Sequence, residues 1–283
     1  MSCLHLFPNR RCKAMKIAAF NVRRFGLKKC TDCKVFSSIT KIVSRYDIIV
    51  LLEVFDAKEK AAKKLVEELN STCHGVSYNY IISKPLGRRD YKEQYLFIFR
   101  DDLVSVMDQY QYEDKQEGDE DSFAREPFIL RFASKKTAVK DFVLIPVHTT
   151  PKDSVQEIDE LYDVYLDVSE KWKTKTIMLL GDFNADGAYV SGKKMKTIRL
   201  RTDKSFHWLI DDDKDTTASN TTDCSYDRIV VHDDLFQHIV PDSAKPFNFQ
   251  EEYDLTDEET LAVSDHYPVE VELKAKGKAA KKK

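Results

Sequence analysis

Six apolar runs in this chain each end on, or begin just after, a side chain capable of chemistry. Ile48-Ile49-Val50-Leu51-Leu52 runs into Glu53, and Phe142-Val143-Leu144-Ile145-Pro146-Val147 runs into His148. Ile177-Met178-Leu179-Leu180-Gly181 leads to Asp182-Phe183-Asn184, and Ile17-Ala18-Ala19-Phe20 ends on Asn21. Asp227 stands just before Arg228-Ile229-Val230-Val231, and Asp265-His266 just before Pro268-Val269. A buried strand holds the residue at its mouth without loop freedom. If these ends point one way, they gather carboxylates, two amides and two imidazoles in one cleft. Crowded carboxylates repel unless a cation or proton lies between them. The oxygen donors Glu53, Asp182, Asp265 and Asn21 suit Mg²⁺, Mn²⁺ or Ca²⁺ better than zinc. Imidazoles add acid–base capacity near neutral pH. Any one of these residues has an ordinary explanation as a turn cap or a satisfied surface group; six strand ends sharing the pattern argue for a site.

The elements that must position them are legible from periodicity. Strands are expected at 16–21, 48–53, 78–83, 95–100, 128–132, 142–148, 176–181, 227–231 and 268–273. Helical stripes are formed by Val35, Phe36, Ile39, Ile42, Val43 and Tyr46, and by Ala61, Ala62, Leu65, Val66 and Leu69. A longer one carries Val155, Ile158, Leu161, Tyr165, Val168 and Trp172, opened by a Ser154-x-x-Glu157 capping box; Thr256-x-x-Glu259 opens a short helix before Ser264. Many strands with helices between them, and no linker, give a single α/β domain with two packed sheets and outer helices, spanning 16–273. Residues 1–15 are expected to be a disordered N-terminal extension, and the lysine-rich 274–283 reads as a disordered tail.

Composition sets the remaining bounds. Of 283 residues 42% are apolar, enough for a sizeable core. No apolar run approaches the roughly 20 residues of a membrane-spanning helix, so no membrane role is expected. The net charge is −3, and without the six lysines of the last ten residues the body carries −9, so a nucleic-acid partner would need bound divalent cations to offset it. The six cysteines follow no disulfide-scaffold spacing, and Cys30-x-x-Cys33 reads as free thiols. Met1 to Lys16 contains no apolar segment of a secretory signal.

Gly181-Asp182-Phe183-Asn184 and Ser264-Asp265-His266-Tyr267-Pro268-Val269 resemble motifs shared across the endonuclease/exonuclease/phosphatase superfamily. Longer strings are similar to deoxyribonucleases of the deoxyribonuclease I type: Phe20-Asn21-Val22-Arg23, Pro85-Leu86-Gly87-Arg88, Tyr91-Lys92-Glu93-Gln94-Tyr95, Arg125-Glu126-Pro127, Arg199-Leu200-Arg201-Thr202 and Tyr226-Asp227-Arg228-Ile229. The resemblance implies a four-layer α/β (α+β) fold, a two-sheet β-sandwich flanked by helices. It implies endonucleolytic hydrolysis of DNA to 5′-phosphate products, with little sequence specificity and with Mg²⁺ (or Mn²⁺) and Ca²⁺. By the same resemblance His148 and His266 are the acid–base pair, oriented by Glu93 and Asp227; Glu53, Asp182, Asp265 and Asn21 surround the metal; Asn184 binds the phosphate. Arg23, Arg88, Tyr91, Arg125 and Tyr226 would contact double-stranded DNA through its minor groove and phosphates. Asp114, Asp121, Phe123 and Glu126 match one structural calcium site, and Asp215 and Thr217 a second.

The chain also departs from that pattern. Phe55 stands where the pancreatic enzyme has a minor-groove arginine, which should weaken duplex binding. Cys224 lacks its disulfide partner, replaced within Asp186-Gly187-Ala188, and Glu113 to Glu126 contains no cysteine for the smaller bridge. With no signal segment either, the expected location is intracellular, cytoplasm or nucleus, acting on the DNA of dying cells; the alternative is a secreted protein. Ile82 and Phe128 replace smaller residues at the actin contact, so weak or no inhibition by actin is expected of this monomer. The competing readings are an apurinic-site endonuclease or small-phosphoester phosphatase of the same superfamily, and an inactive DNA- or actin-binding module.

Overall fold

In the computed structural model, residues 14–114 and 122–277 are described. Among the described residues twelve strands form two six-stranded sheets. The first sheet contains β1 (Met15–Phe25), β2 (Ile48–Val54), β3 (Tyr78–Ile82), β4 (Gln94–Arg100), β11 (Lys245–Pro246) and β12 (Val269–Leu273), in the order β11-β12-β1-β2-β4-β3. The second contains β5 (Val104–Gln111), β6 (Phe128–Ser134), β7 (Asp141–His148), β8 (Ile177–Asp182), β9 (Phe206–Trp208) and β10 (Asp227–His232), in the order β5-β6-β7-β8-β10-β9.

Strand alternation builds the layers. Ile17, Ala19, Ile48, Val50 and Leu52 face Leu144, Met178, Leu180 and Ile229 across the sandwich. The intervening Ala18, Phe20, Val22, Ile49 and Leu51 pack instead against the helices Cys33–Val43 and Lys60–Thr72. Val143, Ile145, Ile177 and Leu179 pack against Ser154–Trp172 in the same way. Both faces of these strands are covered, so they read as unbroken apolar runs rather than alternating ones. Two parallel pairs, β1 with β2 and β7 with β8, lie near the middle of their sheets, each joined through helices. Among the described residues no helix is long and apolar enough to cross a membrane.

Register aligns the strand ends. His148 pairs with Asp182, and Asp182 with Asp227, so three polar residues on three adjacent strands lie in one row. In the other sheet Asn21 pairs with Leu52, one residue before Glu53. Val269 pairs with Ala19, which places Asp265 and His266 beyond the same edge.

The structure differs from the sequence expectations in several places. Strands β5, β9 and β11 were not expected: β5 is a largely exposed edge with a bulge between Val106 and Asp108, and the other two are only three and two residues long. The Ser154–Glu157 box does not form. A 3₁₀ turn, Pro151–Asp153, precedes the helix, Ser154 Oγ donates to the Thr150 and Pro151 carbonyls, and Glu157 accepts from Thr150 N. The Thr256–Glu259 box is present. Backbone pairing also runs past residue 273: Ala138 N donates to Lys274 O and Lys276 N to Lys136 O, both at 2.8 Å. Lysine-rich composition does not prevent main-chain pairing, so the disordered reading does not hold for these first tail residues. The remainder of the tail, 278–283, lies outside the described residues.

Gly181 has φ +141°, and a Cβ there would lie 2.1 Å from the Val147 carbonyl oxygen. Only a glycine lets β8 run this close to β7 immediately before Asp182. Gly181→Ala is expected to destabilise the fold by about 3 kcal/mol or more, read as a lowered urea midpoint.

Candidate active site

Asp182 is 2% exposed and lies at the centre of the row of strand ends. Its Oδ2 is 3.7 Å from Nε2 of both His148 and His266, and accepts a hydrogen bond from Asn21 Nδ2 at 3.1 Å. Its Oδ1 accepts from Asn184 N at 3.0 Å. Each imidazole turns its other nitrogen to a buried carboxylate. His148 Nδ1 is 2.6 Å from Glu93 Oε1, and His266 Nδ1 is 2.7 Å from Asp227 Oδ2. The two rings thus converge on one oxygen from opposite neighbours, each backed by its own acid.

The metal-side groups occupy the adjoining edge. Asn21 Nδ2 also donates to Glu53 Oε1 at 3.2 Å, and Arg24 N donates to Glu53 Oε2 at 3.2 Å. Glu53 has φ +55° within a bulge between Leu51 and Val54, which turns its side chain out of the strand alternation. Arg23, Arg24 and Asn184 also have positive φ, so four of the eight such non-glycine residues among those described cluster here. Unfavourable backbone held in place by its surroundings is a mark of functional sites. Asp265 is partly exposed, with Oδ2 3.6 Å from Arg23 Nε.

These donors fit a hard divalent cation. Glu53 and Asp182 direct oxygens at a single amide donor, and Asp182, Asp227 and His266 form a group whose ligand atoms lie within 4.8 Å of one another. Asp227 and His266 are already engaged with each other at 2.7 Å. Asn21 presents its amide nitrogen rather than oxygen to the carboxylates, because its Oδ1 accepts from Arg23 N.

Crowded charges shift the protonation equilibria. Burial disfavours the imidazolium of His266, yet Asp227 and Asp182 outweigh it and push the pKa up to about 10. His148 is also raised: burial and Arg125 oppose its charge, while Glu93 and Asp182 favour it. Burial works against ionised Asp182 and Glu93, but the imidazoles and, for Glu93, Arg125 hold both below the usual carboxylate range. For Asp227 burial prevails over His266 and lifts it to about 6.

The remaining sequence candidates lie at different distances from this centre. Tyr226 is half-buried, with its ring centroid 6.4 Å from that of His266. Tyr91 is 48% exposed and packs edge-on against Phe55 at 5.1 Å. Arg23 is exposed at the rim. Arg88 is tied to Ser122 O at 3.0 Å and lies 3.8 Å from Asp153. Arg125, expected at a DNA phosphate, is turned inward: its side chain is 11% exposed, with Nε 2.7 Å from Glu93 Oε1 and donating to His148 O at 2.9 Å. Its charge goes to the Glu93–His148 pair.

The calcium candidates lie apart. Asp114 Oδ2 accepts from Ser122 N, Phe123 is buried against Tyr112, and Glu126 is half-buried; Asp121 lies outside the described residues. Asp215 Oδ1 accepts from Thr217 N, Thr217 Oγ1 and Cys224 N in a surface loop.

Sequence reasoning missed three supports. Thr216 Oγ1 accepts from Tyr226 N and Asp227 N, Ser264 Oγ donates to Asn21 O at 2.6 Å and accepts from His266 N, and Lys29 Nζ donates to the Val22 and Val263 carbonyls. Ser264 opens the Ser264–Val269 motif; Thr216 and Lys29 carry no local signal, since their main-chain partners lie in other segments of the fold.

Comparison with known proteins places this geometry. The profile of the endonuclease/exonuclease/phosphatase family matches residues 18–266. Human deoxyribonuclease gamma is 50% identical over 264 residues, covering 93% of this chain and 87% of that protein. Deoxyribonuclease-1 of Bos taurus is 51% identical over 262 residues, covering 92% of each. Among solved structures, the catalytic domain of human Nocturnin superposes with a TM-score of 0.63 at 13% identity, over 93% of this chain and 94% of that one. A mannosyl-6-phosphatase from Bacteroides thetaiotaomicron gives 0.57 at 15% identity, over 92% of this chain and 99% of that one. These two likenesses concern the fold.

In the cation-free protein His266 should still be protonated at neutral pH when followed by NMR, and His148 should titrate above an ordinary histidine. Asp227→Asn should lower the His266 value by about two pH units, and saturating Mg²⁺ should lower both. Because its folded value lies above its unfolded one, the His266 ion pair contributes stability that is complete below about pH 6.5 and is lost as pH rises through about 10.

Proposed function

The chain belongs to the endonuclease/exonuclease/phosphatase family, in its deoxyribonuclease I-like branch, and on that footing we propose that it is a divalent-metal-dependent endonuclease that hydrolyses DNA phosphodiester bonds with little sequence preference. The observation that carries this reading is the pair of imidazole–carboxylate couples, His148–Glu93 and His266–Asp227, facing one oxygen of Asp182. An acid and a base on either side of a phosphate are what in-line displacement by water needs.

Glu93 and Asp227, 2.6 and 2.7 Å from the two Nδ1 atoms, would hold protons there, fixing each tautomer and leaving Nε2 free to exchange a proton in the cleft. One Nε2 takes a proton from the attacking water. The other, as imidazolium, gives one to the departing 3′ oxygen, leaving a 5′-phosphate. Asn184, whose backbone N–H binds Asp182 and whose side-chain amide donates to Thr149 O, would turn that amide to a phosphate oxygen as charge builds there. Glu53, Asp182 and Asp265 would hold Mg²⁺ or Mn²⁺, which when bound neutralises charge on the phosphate. Arg23, Arg88, Tyr91 and Tyr226 around the rim would grip backbone and groove of double-stranded DNA, reading shape rather than sequence. Arg125 supports Glu93 instead.

Ca²⁺ at Asp114, Phe123 and Glu126, with Asp121, and at Asp215 with Thr217, would brace two loops and raise activity without joining the chemistry. Phe128 is buried against Phe97 and cannot crowd an actin contact, so the expectation of weak or absent inhibition by actin rests on the half-buried Ile82.

Plasmid nicking should require Mg²⁺ or Mn²⁺ and increase when Ca²⁺ is added. His148→Ala should reduce it by about 10²-fold or more. A loss smaller than about tenfold would remove His148 from the acid–base role.

A further inference from the structure

Lys29 is half-buried in the short helix Leu27–Thr31, away from the apolar stripes that explain the neighbouring helices. Its ammonium donates at 2.7 Å to the carbonyl of Val22, the residue after Asn21, and also to the carbonyl of Val263, two residues before Asp265. These acceptors belong to segments 241 residues apart, one running into the left-handed Arg23–Arg24 turn and the other leading to Asp265 and His266. Ser264 makes the parallel link, donating to Asn21 O and accepting from His266 N. Glu53 and Asp265 lie close enough to act on the ammonium, as does Arg23.

Resting on the metal-dependent reading above, we propose that Lys29 is a positioning residue for the cation site. It locks the 21–24 turn to the 263–266 segment and so fixes the spacing of Glu53 and Asp265 around the ion. Three features of the turn depend on the lock. Arg23 N holds Asn21 Oδ1, Arg24 N holds Glu53 Oε2, and both arginines occupy positive φ that the surroundings must maintain. Without the ammonium, two inward-facing carbonyls lose their donor and the turn can relax.

The sign of the effect separates positioning from simple charge. Removing a positive group beside carboxylates would by Coulomb attraction alone tighten cation binding. Loss of positioning loosens it, as does removal of other groups that orient metal ligands, typically by about 10–100-fold. The test is Mn²⁺ binding to the full chain, followed by electron paramagnetic resonance and requiring no turnover. Lys29→Met should weaken Mn²⁺ binding about tenfold, and Lys29→Gln, whose shorter side chain keeps uncharged N–H donors, should fall between it and the wild type. In nicking assays the half-activating Mg²⁺ concentration should rise in parallel. Unaltered or tighter Mn²⁺ binding in either folded variant overturns the proposal, as does a wild type that binds no Mn²⁺. A wild type that binds Mn²⁺ and shows this dependence on Lys29 but nicks no DNA would refute the nuclease reading and leave the positioning role standing.

Discussion

A single buried carboxylate governs the arrangement. Asp182 has almost no contact with solvent, so its charge must be met within the protein, and it is met from both sheets at once. His148 and His266 approach one oxygen, Asn21 reaches across the sandwich to the same atom, and Asn184 covers the other. An unpaired charge at this depth would cost several kcal/mol (about) and would neutralise itself by taking a proton. The β7–β8–β10 register, the close passage permitted by Gly181 and the left-handed backbone at Asn184 all bring partners to that carboxylate.

The same requirement orders the next shell of contacts. Each imidazole drawn toward Asp182 needs a carboxylate on its far nitrogen, and Glu93 in turn shares its oxygen with Arg125. The result is a chain of alternating charge running inward from the cleft: carboxylate, imidazole, carboxylate, guanidinium. Inward commitment of Arg125 follows from this alternation. An arginine whose neighbour is a buried Glu93 has stronger claims on it than a phosphate in solvent.

Much of the fold was legible because buried strands write themselves as apolar runs. The nine strands expected from those runs all occur, with ends shifted by up to four residues, as at β1, which continues to Phe25. The edge strand β5 was hidden because its exposed side chains follow no clean alternation, and β9 and β11 are too short to carry a pattern. The Ser154 box failed for another reason: the preceding 3₁₀ turn had already claimed the serine hydroxyl. At the site, residues ending apolar runs were found from sequence, while Thr216 and Lys29 were not. A hydroxyl or ammonium that serves distant main-chain atoms leaves no trace in local composition; only the fold reveals its partners. Arg125 shows the converse, since residue type named its charge but not the direction it would face.

Strand β12 leaves the cleft edge at Val269 opposite Ala19, reaches Met15 at Leu273, and the chain then pairs with the 136–138 segment. The 274–277 segment therefore lies at the pole of the sandwich remote from the imidazoles. An affinity handle or fluorophore joined there would leave the reactive mouth unobstructed, and the protein could be tethered to a support by that end with its cleft facing the solution.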